Sequence, residues 1–219
     1  MAQADEETLD DLRLRLAPEI ALSAVFDGWS DDALLAAAKA QGVDPALARL
    51  AFPGGAMDMI EAWVGSVDAR MEARFGNGAL DNVKIRDRIR DLVWFRLEQV
   101  MGLEEAFSRA LAIQAMPQNV ARALKMGWAS ADRMWRLAGD TATDYNHYTK
   151  RAILASIYAA TLAVFVNDES EGKADSRAFL DRRIEGVMKF EKAKAKWLGG
   201  EREHFDVARF LGRLRYPSS

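Results

Sequence analysis

The sequence contains no cysteine and only two histidines among its 219 residues. Without thiols it has no disulfide, no thiolate metal site and no cysteine nucleophile, which fits a reducing compartment. With so little imidazole, His147 and His204 are left to carry any histidine chemistry. Each closes an acid-x-x-His spacing, Asp144-Tyr-Asn-His147 and Glu201-Arg-Glu-His204. A di-iron bundle needs two Glu-x-x-His units and one further Glu from each of two other helices. Here the first unit has Asp at a helix cap and the second sits on a short charged terminal helix, so no metal site is expected. No Gly-x-Ser-x-Gly elbow, Walker loop or Gly-x-Gly-x-x-Gly is present, so no catalytic residue and no cofactor are expected.

Long hydrophobic runs are also missing. No window reaches 18 uninterrupted apolar residues, so no membrane-spanning helix is predicted. The start, Met-Ala-Gln-Ala-Asp-Glu-Glu, has neither the apolar core of a secretory signal nor the arginines of a transit peptide. The start therefore reads as that of a bacterial cytoplasmic protein, and any membrane contact is expected to be peripheral, on the inner face of the cytoplasmic membrane. Alternating Val/Ile/Thr runs are absent too. Half the residues are apolar, while 15 Gly and 5 Pro are spread thinly among segments rich in Ala, Leu, Arg, Lys and Glu. An all-α fold follows.

The net charge of −3 hides an asymmetry. Residues 1–80 carry 6 basic and 14 acidic side chains, and residues 81–219 carry 24 and 19. The front repels phosphate and the back mildly favours anionic surfaces.

Apolar periodicity predicts a helix over 6–27, ended by Gly28. Ser30 caps a short helix over 31–40, Gly42 stops it, and Asp44-Pro45 starts another through Ala51. After Phe52-Pro53-Gly54-Gly55 a fourth helix runs over 56–74, which completes a helix-turn-helix headpiece. In a DNA reader the helix from Pro45 would present Arg, Lys, Asn or Gln to the major groove. This one offers only Arg49 in acidic surroundings, so no nucleic-acid partner is expected. Further helices are predicted over 81–101, 104–115, 119–138, 146–165 and 175–196. The segment 153–166 is apolar nearly all round, as in a helix covered on several sides.

Residues 139–151, Gly-Asp-Thr-Ala-Thr-Asp-Tyr-Asn-His-Tyr-Thr-Lys-Arg, crowd polar and aromatic groups between two such helices. Gly139 suits a helix stop, and Thr143 or Asp144 suits a cap. Helix punctuation leaves Asp140, Asn146, His147, Tyr148, Lys150 and Arg151 unexplained.

With Arg151-Ala-Ile-Leu-Ala-Ser-Ile-Tyr158 and Phe179-Leu-Asp-Arg-Arg-Ile-Glu-Gly-Val-Met188, this segment resembles the ubiquinone (coenzyme Q) biosynthesis accessory family of TetR-like lipid-binding proteins. The resemblance implies a TetR-like bundle of about nine or ten helices, arranged as a degenerate headpiece (1–76), a ligand-binding and dimerisation bundle (81–196) and an amphipathic membrane-associating helix (197–216). It implies a homodimer through the last two long helices. It also implies a non-catalytic protein that takes up an isoprenoid quinone, attaches peripherally to the membrane and assists the di-iron hydroxylase acting on demethoxyubiquinone. Asp140, Thr141, Thr143, Asp144, Tyr145, Asn146, His147, Tyr148, Lys150 and Arg151 then form the expected docking patch, which meets the hydroxylase or orders the helix behind it. Changing Lys150 and Arg151 together to Glu is expected to weaken docking and spare lipid binding. Position 147 departs from the family pattern, which has Trp there, and Ala142 stands where a small hydroxyl residue is usual.

Two features bear on a lipid. Trp94, Met101, Met116, Trp128, Met134 and Trp135, with Ile153 and Ile157, gather large adaptable side chains that suit a lipid-lined cavity. A filled core has the same spacing, and the sequence leaves the two open. Beyond Gly199-Gly200, Val207, Phe210, Leu211 and Leu214 share one helical face and Arg202, Arg209 and Arg213 another, with Trp197 and Leu198 leading in. That is the pattern of an interfacial helix, and equally that of a last helix docked on its own domain. A TetR-like transcription regulator that senses an apolar ligand is the alternative function.

Overall fold

The computed structural model describes residues 7–141 and 145–199, with side chains described over 7–141 and 147–190. Among the described residues there are nine α-helices and no strand: α1 (Leu9–Asp27), α2 (Asp31–Ala40), α3 (Pro45–Ala51), α4 (Ala56–Phe75), α5 (Ile85–Glu98), α6 (Glu104–Gln114), α7 (Val120–Leu137), α8 (Tyr145–Phe165) and α9 (Ala174–Gly199). The expected all-α fold is the one observed. One compact unit runs through Leu180 and a second starts at Asp181. The helix expected over 200–215 lies outside the described residues.

Local chemistry sets the helix starts. Thr8 and Asp11 form a reciprocal capping box on α1, and the Ser30 hydroxyl accepts from Ala33 N. The Asp44 carboxylate accepts from Ala46 and Leu47 N–H, with Pro45 in the first turn. One helix runs unbroken across a proline, as its apolar stripe predicts, and another starts later than the sequence suggests. α1 continues through Pro18, a residue that normally breaks a helix. Leu12, Leu16, Ala17, Ile20, Ala21 and Ala24 bury its inner face, and packing outweighs the lost hydrogen bond. α5 begins at Ile85 rather than 81, because Arg88 draws the carbonyls of Asp81 (2.6 Å) and Val83 (2.7 Å) onto its guanidinium. Those carbonyls are lost to the first helical turn.

α1 packs on α2, α4 and α6. Trp29, between α1 and α2, donates its indole N–H to Ala106 O at 2.8 Å and stacks obliquely on Trp63 of α4, which meets Phe107 of α6 edge-on. α4 and the α1–α2 junction are thereby locked to α6. α8 is less uniformly covered than its sequence suggests. Leu154, Ile157, Thr161, Leu162 and Phe165 are buried, while Ala152, Ser156, Ala159 and Ala163 form an exposed face of small side chains.

The α8–α9 corner is held by two side chains. Lys173 adopts a left-handed backbone (φ 58°), which a side chain tolerates only when its contacts repay the strain. Its ammonium closes the end of α8 by donating to Phe165 O (3.2 Å) and Asp168 O (2.8 Å), and it pairs with Glu104 at 3.1 Å. Asp168 accepts four hydrogen bonds, from the N–H and hydroxyl of both Ser170 and Ser176. Burial alone would raise its pKa, but these hydrogen bonds hold the carboxyl far below the usual carboxylate range. A depressed folded-state pKa means that the stabilisation is complete above the unfolded value, about 3.9, and is lost as pH falls further. Asp168→Ala should therefore cost about 2 kcal/mol at neutral pH, as expected for a lost cap that leaves buried donors unpaired. In denaturant titrations the gap from the unmodified chain should be flat above about pH 5 and close in acid below about pH 4.

Candidate docking surface and ligand site

The turn after α7 is built as the glycine predicts. Gly139 takes φ 88°, with Gly139 N–H on Arg136 O and Asp140 N–H on Trp135 O, both at 2.9 Å, the paired bonds of a Schellman stop. Arg88 Nη1 donates to Ala138 O at 2.9 Å and would lie 3.0 Å from any Cβ on residue 139. Positive φ and this close guanidinium both favour glycine.

Asp140 and Arg151 are struts rather than surface. Arg151 is 2% exposed. Its guanidinium bonds Asp132 on α7 (2.5 Å), Asp140 (3.1 Å) and the carbonyl of His147 (3.1 Å). Asp140 also accepts from Lys150 Nζ at 2.6 Å, and its side chain is buried. Trp135 donates its indole N–H to Lys150 O at 3.0 Å, and the Lys150 ammonium lies over the Trp135 ring. The polar crowding of 139–151 thus serves largely to clamp α7 to α8. For Arg151 and Asp140 this favours the helix-ordering role over an exposed docking contact, since a fully desolvated charge held by two carboxylates has nothing left to offer a partner. Thr141 is exposed. Thr143 and Asp144 lie outside the described residues, and Tyr145 and Asn146 are described only in the backbone of α8.

What faces solvent beside this clamp is aromatic. Tyr148 is 61% exposed and stacks on half-buried Trp128 of α7 at 6.1 Å between ring centroids. His147 meets the Tyr148 ring edge-on. One and two turns before Trp128, Leu124 (71% exposed) and Val120 continue the apolar strip along α7. Val120 and Leu124 are not among the residues expected from the sequence. Their spacing of four from each other and from Trp128 was the available signal, but it is equally the signal of a core face.

The expected lipid-lining residues divide between the interior and the surface. Met134 and Ile157 are buried, Trp135 and Ile153 half-buried. Trp94 is buried under the Arg177 guanidinium, 3.9 Å from its ring centroid, and edge-on to Phe165. Met101 and Met116 are exposed, because they fall in the turns after α5 and α6 rather than on a helix face, and so cannot line an enclosed cavity. Trp128 belongs to the outer strip. A cleft of about 240 Å³ lies elsewhere, walled by Asp10, Arg13 and Leu14 of α1, Asp58 and Glu61 of α4, and Arg122 of α7, none of them an expected lipid residue.

The middle of the bundle is partly polar. Buried Arg96 of α5 pairs with buried Asp68 of α4, donates to Ser130 of α7 at 3.0 Å and stacks over Tyr158 of α8. Four helices meet at this one guanidinium. Arg96 Nε and Trp94 Nε1 are buried donors with no acceptor among the described residues. Among the described residues no group of three or more His, Asp or Glu is placed to hold a metal ion, and no helix is long and apolar enough to cross a membrane. Val207, Phe210, Leu211 and Leu214, expected to bind membrane, lie outside the described residues, as do the side chains of Trp197 and Leu198.

Residues 120–191, which open on the exposed strip and include the α7–α8 clamp, match the COQ9 family model. The chain is 32% identical over 194 residues to the mitochondrial ubiquinone biosynthesis protein COQ9 of Rattus norvegicus, covering 85% of this chain and 62% of that protein. To the corresponding Homo sapiens protein it is 29% identical over 193 residues, covering 85% and 60%. The chain therefore spans about three fifths of the length of these relatives. Its fold is similar to the crystal structure of the TetR transcriptional regulator from Nitrosomonas europaea ATCC 19718, with a TM-score of 0.63 and 19% identity over 79% of this chain and 95% of that one. At that identity the likeness is one of fold. The relatives are named mitochondrial, as are those of Drosophila melanogaster and Schizosaccharomyces pombe. This overturns the expected bacterial cytoplasmic location and points to mitochondria.

Proposed function

We propose that this chain, whose residues 120–191 match the COQ9 family model, is a non-catalytic accessory protein of ubiquinone biosynthesis. It binds a polyprenyl quinone intermediate and presents it to the demethoxyubiquinone hydroxylase. The observation that carries this reading is the exposed Tyr148–Trp128 stack running into Leu124 and Val120, mounted on a hairpin that Asp132, Asp140 and Arg151 hold rigid. Exposed aromatics on a fixed platform suit a protein interface, because little side-chain freedom is lost on docking. Tyr148, Trp128 and His147 would make the contact, with Lys150 at its edge.

The lipid part of the reading rests on solubility. A long isoprenoid buried in a bilayer presents its ring poorly to an enzyme, and an apolar interior near the membrane lowers the cost of moving it. Trp94, Met134 and Ile157 would meet the ligand, and the Trp94 indole N–H is a buried donor suited to a quinone oxygen. We take residues 1–76 as headpiece, 81–196 as ligand-binding bundle and 197–216 as the membrane-associating segment. The small-residue face of α8 permits close approach of a second copy, so the working form is a homodimer. The transcription-regulator alternative is disfavoured at α3, where Arg49 is held by both oxygens of Asp31 and is not free for phosphate.

The test is organic extraction and mass spectrometry of the protein purified without detergent, beside an unrelated protein from the same cells. Isoprenoid quinones or their precursors should be enriched in the extract. Their absence from folded protein, with no uptake of added quinone, would sink the lipid-presenting role.

A further inference from the structure

The headpiece carries a second unpartnered surface, and it is built against the usual rule of burial. α3 buries its small residues, Ala48 and Ala51, and turns its large ones outward, with Leu47 42% and Leu50 62% exposed. Single exposed leucines are ordinary, but a seven-residue helix that hides alanine and shows leucine gives up much of its apolar burial. Arg13 of α1 donates its Nε to Ala51 O, which ties the end of α3 to α1.

The ground around these leucines is acidic. Asp31 and Asp32 open α2, which packs on α3, and Asp44 caps α3 itself. Arg49, the one basic side chain of α3, is neutralised by Asp31 at 2.7 Å. Past Arg13 the surface dips into the cleft where Asp10, Asp58 and Glu61 face Arg13 and Arg122. The first 80 residues hold 14 acidic side chains against 6 basic ones. In DNA-reading helix-turn-helix proteins this is the helix that enters the major groove. Here charge repels that ligand, and equally an anionic bilayer.

We propose that the leucine face of α3 docks a basic amphipathic helix from a partner protein, with apolar side chains on Leu47 and Leu50 and lysines or arginines set against the surrounding carboxylates. Charge complementarity selects this occupant over DNA and lipid, and the helix-in-groove arrangement supplies its contacts. The surface is separate from the Tyr148 strip, so the two proposals stand or fall independently.

The probe is a fluorescein-labelled synthetic helix of about 18 residues, five turns, with leucines on one face and lysines on the other, titrated against the full chain by anisotropy. Binding should weaken at least about tenfold in a Leu47→Ser, Leu50→Ser double variant, whose exposed positions leave folding intact. It should weaken by a similar factor, about tenfold, in Asp32→Lys, or when the peptide lysines become glutamates. Hydrogen exchange should show protection centred on residues 44–51. The proposal is overturned if the double variant binds the lysine peptide as well as the unmodified chain, if lysine and glutamate peptides bind alike, or if duplex DNA displaces the peptide.

Discussion

Arg151→Glu should destabilise the protein by about 4 kcal/mol or more, the cost of removing one member of a buried ion pair and leaving the others uncompensated. The glutamate would stand as a third carboxylate between Asp132 and Asp140, which now share the guanidinium at 2.5 and 3.1 Å. A loss of that size is a large part of a domain's total stability, so the melting temperature should fall sharply and every binding function with it. Lys150→Glu should behave differently. The Lys150 side chain is partly exposed, and pairs of that kind contribute about 1 kcal/mol or less. Separate thermal melts of the two variants check the point. Arg151→Glu that melts like the unmodified chain yet no longer docks would restore Arg151 to the interface.

The second large effect is on docking alone. Tyr148→Asp removes the outer half of the Trp128 stack and puts a charge against the strip, while the exposed ring contributes little to the core. Central aromatic anchors of interfaces contribute about 2 kcal/mol or more, so affinity for the hydroxylase should fall roughly 30-fold or further. The melting temperature and the co-purified lipid should stay as they were. That separation distinguishes Tyr148 from Arg151, although the two lie three residues apart in one motif.

This contrast shows what a sequence can convey. Punctuation is local chemistry and is legible: Ser30, Asp44-Pro45 and Gly139 do at their helix ends what their residue types suggest. The importance of 139–151 was legible too, as polar density that a plain turn does not need. Its role was not, because Asp140 and Arg151 as surface contacts and as buried struts spell the same letters. Only the approach of Asp132 from α7 decides between them. Pro18 by itself argues for a break in α1, and the apolar stripe of 6–27 rightly outweighs it, because the packing it signals carries the helix through. Met101 and Met116 read as cavity lining by residue type, yet sit in turns. The Arg96–Asp68 pair joins residues 28 apart and leaves no spacing to recognise.

The central claim is that the Tyr148–Trp128 strip receives the hydroxylase. Its most direct test is a calorimetric titration of the full chain with purified demethoxyubiquinone hydroxylase, comparing the unmodified protein with Tyr148→Asp. The account predicts saturable binding by the first and a roughly 30-fold or greater loss in the second, with both proteins equally folded. Undiminished binding by Tyr148→Asp would contradict it, as would no binding by the unmodified chain.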